Sequence, residues 1–414
     1  MIRRFSTLPL ARFSVLGLAA WTAILPACGI RGQHNQEFVQ QAREKIDGLK
    51  SGLDWQMAQQ QFLAGDLDKA LKTVDSSIAL NGKVASAHIL RARILMEKGD
   101  LEGARGSLLS AEKLDDKNAE AQYYLGVIFE RYTQTEPALA RYQRAAELDS
   151  KNAQYLVAAA DMLVESKRLD EADALLANPP ETLMYNAAVK HTRGRLAMRR
   201  GDSTLAESLL EEARLLSPDD SGVLEDLLRA QMSNRRFNQA ELTASQLLKQ
   251  PGAADRSDLK VIRSQCLVEI GQLTEARKLL GEVTERSDAD RQAWLLLGEV
   301  SARLQDHARL RAVGSRLIAL APERYEGYLY RAMHLRGAGQ LDAALESATQ
   351  ATARAGSSGV PFVYRAILLK DANRLGEARS AAVQAAQVDP ESKAARQLIE
   401  LIDRSAAVAA VGTE

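Results

Sequence analysis

Aromatic residues are scarce in this chain of 414 residues, at 5%. A single large core normally draws heavily on Phe, Tyr and Trp, so many short segments packed closely fit better. There are two cysteines, Cys28 and Cys266, which excludes a disulfide framework and any clustered-cysteine metal site. The five histidines are His34, His88, His191, His307 and His334, and no two share the i, i+4 spacing of a helical zinc site. Net charge is absent too, with 54 basic and 54 acidic residues. That balance speaks against a nucleic-acid footprint, which needs a basic excess on one face. No glycine loop follows a strand pattern: Gly337-Ala338-Gly339-Gln340 and Gly356-Ser357-Ser358-Gly359 both read as connections between helices. No nucleophile, metal or cofactor constellation emerges, so the reading is of a non-enzyme with no cofactor, no metal and no expected small-molecule substrate.

Alanine, by contrast, is abundant and regularly placed. Ala70, Ala104, Ala138, Ala172, Ala206 and Ala240 follow one another at a strict period of 34. The count slips by two residues near Pro251 and Gly252, then resumes at Ala276, Leu310, Ala344 and Ala378. A second small column runs Ala58, Ala92, Gly126, Ala160, Gly194, Leu228, Ser264, Gly298, Ala332 and Ala366. Small side chains at a fixed period let helix backbones approach closely at the same point of each unit. Glycine-aspartate pairs at Gly65-Asp66, Gly99-Asp100 and Gly201-Asp202 mark the turn within a unit, where the chain leaves the first helix in a left-handed conformation.

A 34-residue period with this pattern resembles the tetratricopeptide repeat. The resemblance covers residues 51–392 and implies an all-α, right-handed α-solenoid of about ten helix-turn-helix repeats, each with a helix A and a helix B. Residues 37–50 read as a lead-in helix shielding the start of the first repeat, with Phe38, Val39, Ala42, Ile46 and Leu49 at helical spacing. Residues 393–404 read as a solvating cap helix and 405–414 as a small-residue tail, 393–414 together forming the C-terminal end. Asn178-Pro179-Pro180 should end one helix B early, and Thr182 or a neighbour should then start a longer helix A. The sixth repeat, 221–254, is degenerate. Either two blocks join near 250, or one continuous superhelix kinks there.

The first 27 residues carry Arg3, Arg4 and Arg12, then the apolar run 13–26. That is signal-peptide architecture, too short to span a bilayer comfortably as a permanent helix. It ends in Leu25-Pro26-Ala27-Cys28, which resembles the bacterial lipobox. The resemblance implies cleavage before Cys28 and lipid attachment there, with 28–50 as tether and lead-in helix. The expected location is the cell envelope, facing the periplasm and anchored to the inner or outer membrane.

In tetratricopeptide proteins the exposed face of helix A lines a concave groove that takes protein segments. By register, the resemblance places Arg93, Tyr123, Tyr124, Val127, Arg131, Arg195 and Arg229 there, with Ile89, Leu90, Met96, Asp161 and His191 beside them. Aromatic residues and Arg are the types enriched at interface hot spots. Family members that dock chaperone C-termini hold a carboxylate with Asn and Lys. Here the corresponding column reads Gln59, Arg93, Val127, Asp161, Arg195 and Arg229, with no asparagine. The expected function is a membrane-anchored, non-catalytic scaffold binding protein or peptide partners in envelope assembly, secretion or polysaccharide export. The alternatives are an enzyme with its active site in the groove, or a soluble exported peptide-binding module.

Overall fold

The computed structural model describes residues 33–411. Cys28 and the lipobox lie outside the described residues. The chain divides into two compact units, Met1–Asp116 and Lys117–Glu414, and the described residues of both are helical. The first unit holds α1 (Gln33–Leu63), α2 (Leu67–Leu80), α3 (Ala85–Glu97) and α4 (Leu101–Leu114). The second runs through α5 (Ala119–Arg131), α6 (Thr135–Leu148), α7 (Ala153–Glu165), α8 (Leu169–Ala177), α9 (Ala187–Arg199) and α10 (Ser203–Leu216). It continues as α11 (Ser221–Ser233), α12 (Phe237–Leu248), α13 (Ser257–Glu269), α14 (Leu273–Arg286), α15 (Arg291–Arg303) and α16 (His307–Leu320). It closes with α17 (Glu326–Gly337), α18 (Leu341–Thr352), α19 (Val360–Asp371), α20 (Leu375–Val388) and α21 (Lys393–Val411). Odd-numbered helices up to α19 are the A helices of the repeats and even-numbered ones the B helices.

Local chemistry repeats with the same period. Asn118, Asn152 and Asn186 each accept a backbone N–H bond at the start of an A helix, and Asp220 does the same one repeat later. Such caps satisfy donors that the first helical turn leaves open. Every repeat then turns through one residue with positive φ. The position is glycine at 65, 99, 201, 271 and 339, but Thr133, Lys167, Arg235, Gln305 and Asn373 in the other five. A side chain in the left-handed region costs roughly 1–2 kcal/mol relative to glycine. Lys167→Gly should therefore raise stability by about 1 kcal/mol, less than the strain because glycine also loosens the unfolded chain. Gly201→Ala should lower it by a similar amount. Urea midpoints of the two variants should move in opposite directions from the parent.

The two small columns meet where helices cross. Ala70 and Ala104 in the first unit are fully buried, as are Ala138, Ala172, Ala206, Ala240, Ala276, Ala344 and Ala378 in the second. Leu310, the exception in the alanine column, is buried as well. In the second unit successive A helices touch directly, α7 on α9, α9 on α11, and likewise from α13 to α21. No pair of B helices comes as close among the described residues. The A helices therefore form the inner wall of this unit and the B helices its outer wall.

Three features differ from the sequence expectation. The lead-in segment and the first helix A are one helix, α1, because nothing between 50 and 51 breaks it: Ser51 is buried and exchanges hydrogen bonds with Ser77 of α2 at 2.9 and 2.8 Å. After Pro180 the chain makes a single 3₁₀ turn, Glu181–Leu183, and α9 starts only at Ala187. It has the same 13 residues as α7 and α11, so the longer helix expected from Thr182 is absent. Asn186, the cap, fixes that start. Third, the last helix runs from Lys393 to Val411, past the expected end at 404. The two extra residues near Pro251 form a turn in which Ala253 N–H donates to Gln250 and Arg256 N–H to Ala253. α12 packs on α13 across it.

Candidate partner-binding face

The expected groove residues fall in both units, and each unit is described by itself. In the first, Arg93 of α3 holds its guanidinium over the Phe62 ring at 5.2 Å. Its neighbours Ile89, Leu90 and Met96 are buried and line no open surface. They follow the register of helix A, but their side chains point into packing, as their apolar character favours.

In the second unit α5 presents Tyr123, Tyr124, Val127 and Arg131. Tyr123 is the centre of an aromatic cluster, with ring centroids 5.2 Å from Tyr124, 5.5 Å from Tyr142 and 5.1 Å from Tyr155. Its hydroxyl accepts a hydrogen bond from Gln154 at 2.7 Å. Tyr142 comes from α6 and is almost wholly buried, and its hydroxyl donates to Glu130 at 2.5 Å. Gly126 makes room for it, since a Cβ there would lie 2.6 Å from the Tyr142 ring. Burial raises the pKa of Tyr123, Tyr142 and Tyr155, so all three are neutral hydroxyl groups near pH 7. Val127 is partly buried against the same cluster. Tyr123 and Val127 are thus largely structural, while Tyr124 sits at the edge and is half-buried. Arg131 is exposed in the last turn of α5.

Arg195 and Arg229 converge on a residue the sequence reading did not single out. Asp226 of α11 is 6% exposed. It meets His191 Nε2 at 2.7 Å, Arg229 Nη1 at 2.8 Å and Arg195 Nε at 3.9 Å. Burial alone would raise the Asp226 pKa. The His191 hydrogen bond and the charges of Arg229, His191 and Arg195 outweigh it and hold the carboxyl below its usual 3.8. Asp161 of α7 is in the opposite state: burial raises its pKa, and the charges of Arg195 and Arg199 only partly offset this. The result is an exposed arginine pair set on the inner wall by one buried carboxylate. Each guanidinium has five donors, so most remain available.

Asp226 could have been found by reading across repeats at 35 rather than 34 residues. His191–Asp226 has that separation, and so do the ion pairs Arg291–Glu326 at 3.3 Å and Arg336–Asp371 at 2.6 Å. Position n on one A helix faces position n + 1 on the next.

The pKa direction gives a testable sign. Ionised Asp226 is favoured by the fold, so its contribution is complete above the unfolded carboxylate range and fades as pH falls through the lower folded value. Asp226→Asn should cost about 1–2 kcal/mol at pH 7, discounted because Arg195 and Arg229 face solvent. The difference from the parent should shrink below roughly pH 4. A constant difference down to pH 3 would remove the electrostatic account.

Cys266 is buried beside the Met232 sulfur at 3.2 Å, and burial pushes its thiol up to about 11. It is a packing residue, not a reactive thiol. Among the described residues no group of three or more His, Cys, Asp or Glu is placed to hold a metal ion.

Two family models match this chain. Residues 48–99 match the second ARM domain of tetratricopeptide repeat protein 21, and residues 265–325 match the tetratricopeptide repeat. Those two stretches are similar to tetratricopeptide repeats. The type IV pilus assembly protein PilF of Pseudomonas aeruginosa is 28% identical over 132 residues, 31% of this chain. That match spans 52% of PilF, about half of its length. A solved structure from the functional characterisation of Pseudomonas aeruginosa PilF superposes with a TM-score of 0.43 at 19% identity, over 53% of this chain and 97% of that one. The crystal structure of YrrB, described as a tetratricopeptide repeat protein with an unusual peptide-binding site, gives 0.35 at 20% identity, over 46% and 95%.

Proposed function

We propose that the chain is a non-catalytic scaffold that holds protein partners against the inner wall of its A helices, in the bacterial cell envelope. The observation that carries this reading is the Asp226 arrangement. A buried carboxylate is spent on orienting two exposed arginines, Arg195 and Arg229, which then face whatever enters the wall. Oriented guanidinium groups recognise carboxylates bidentately, so the partner segment brings acidic side chains or a chain terminus to α9 and α11. Tyr124 adds an aromatic edge on the same wall. Matches to tetratricopeptide repeats support a partner-binding role, and the partial likeness to a pilus assembly protein is consistent with an envelope setting.

The test is photocrosslinking in intact cells of the native host, with the reactive side chain placed at Arg199 on the inner wall or at Glu212 on the outer one. Discrete adducts from position 199 alone support the reading. Adducts from position 212 alone, or none from either, overturn it. Arg195→Glu with Arg229→Glu should abolish the adducts.

The anchor forms part of the same proposal. The Leu25-Pro26-Ala27-Cys28 sequence motivates it. Cys28→Ser should prevent lipidation and leave the chain uncleaved or released to the aqueous fraction. Acyl chains contribute about 0.8 kcal/mol per buried CH₂, far more than the short tether could. An unlipidated, correctly cleaved variant that resists an alkaline wash, which strips interfacial contacts but not lipid anchors, would count against the anchor.

A further inference from the structure

The outward face of α1 is apolar. Phe38, Val39, Ile46, Leu49, Leu53 and Met57 are all exposed, Phe38 at 70%, Leu49 at 72% and Leu53 at 61%. Laid out at 3.6 residues per turn, the six fall within one arc of about 100°. The opposite arc carries Ser51, Trp55, Ala58 and Phe62. Ser51 bonds Ser77 of α2, while Trp55 and Phe62 flank the core cluster that holds Ala58, Val74 and Ala87. So α1 is committed to the first unit on one side and leaves a continuous apolar stripe on the other. Isolated exposed apolar residues are ordinary, but an aligned row of six large ones is not.

The charges beside the stripe name its occupant. Lys50 and Arg43 lie along one margin and Lys45 along the other, and none of the three has an ion-pair partner among the described residues. Asp54, beyond Lys50, is turned away and accepts a hydrogen bond from Ser76 of α2 at 2.7 Å. A second copy of α1 would bring the same basic margins against these, so self-pairing is opposed by like charge. An anionic lipid surface matches both features, apolar centre and basic margins. No helix among the described residues is long and apolar enough to cross a membrane, so a bilayer-bound α1 would lie in the interfacial plane.

We infer that α1 docks along the surface of an anionic bilayer through its Phe38-to-Met57 stripe, fixing how the first unit stands on the membrane. This rests on the envelope reading above only for the presence of a bilayer, and its test is independent of the lipid on Cys28.

The full chain carrying Leu49→Trp is mixed with vesicles of phosphatidylglycerol and phosphatidylcholine whose acyl chains are brominated. Bromine quenches an indole only at acyl depth. The emission added by Leu49→Trp should be mostly lost with these vesicles and retained with the same chain carrying Leu53→Glu as well. Flotation of the vesicles reports membrane binding of either kind, whereas quenching reports the α1 face alone. Chains that float with unquenched added emission overturn the docking face and leave the anchor standing. Quenched chains support the face whether or not Cys28 is lipidated. Added emission that is blue-shifted without vesicles, together with a dimer in sedimentation, assigns the stripe to a second copy and overturns the proposal.

Discussion

Gly314→Leu should destabilise the second unit by roughly 3 kcal/mol, at the upper end of overpacking costs. Gly314 of α16 sits against α17 backbone to backbone. A Cβ there would lie 2.9 Å from the Arg331 nitrogen and 3.1 Å from the Gly327 oxygen. Gly327 returns the contact, with its own added Cβ 2.7 Å from the Ile318 nitrogen. A clash with a flexible side-chain end is relieved by rotation, but this one requires a whole helix to move. α17 is not free to do so, since Arg331 is tied to Ser347 at 2.8 Å and Gln350 at 2.6 Å on α18. Leucine has the better helix propensity, by about 0.8 kcal/mol, and that is too little to offset the clash. Ser315→Leu, one residue on and exposed, is the control. Hydrogen exchange of α16 and α17 is the measurement, because repeat arrays open locally rather than all at once. Equal protection in the two variants would remove the close-approach account.

The eighth repeat shows where sequence reading reaches its limit. The 34-residue period made the fold class, an all-α array of paired helices, legible from the alanine columns. Gly314 lies in neither small-residue column, so the period does not single it out. Its meaning lies in Gly327 on the facing helix, and no single-column reading pairs the two. The turn column behaved similarly. Gly65, Gly99 and Gly201 announced a left-handed residue, yet Thr133 and Lys167 adopt the same conformation without announcing it. Tertiary packing of the two helices fixes the turn, and the local residue bears the strain. The exposure of Arg195 and Arg229 on A helices was legible by register. Which other register positions are open was not, because Ile89, Leu90 and Met96 share the helix with Arg93 and are buried. Asp226 was hidden by the one-residue stagger between neighbouring A helices. The apolar spacing of α1 was visible from sequence, but only the structure shows that its apolar face points outward.

Tyr142→Ala should cost about 3–5 kcal/mol, the range for removing a large buried aromatic ring. Tyr142 is 1% exposed and lies over Gly126, with the Tyr123 ring beside it. Tyr142→Phe keeps the ring and loses only the hydrogen bond to exposed Glu130, so it should cost about 1 kcal/mol. Gly126→Leu alone should also destabilise, since its first carbon already meets the ring at 2.6 Å. Combining Gly126→Leu with Tyr142→Ala puts new volume where the ring was. The double variant should then be at least 1 kcal/mol more stable than the two single costs predict, a coupling expected only for residues in contact. Additive costs would mean that Gly126 and Tyr142 do not share this space. The cycle also separates structure from recognition on this wall. Tyr123 leans on Tyr142 and Tyr155, so Tyr123→Ala confounds lost binding with lost packing. Tyr124 touches the cluster at its edge, and Tyr124→Ala should leave the melt near that of the parent while weakening crosslinks from position 199. A collapsed melt for Tyr124→Ala would make that residue structural and leave Arg195 and Arg229 to carry the recognition.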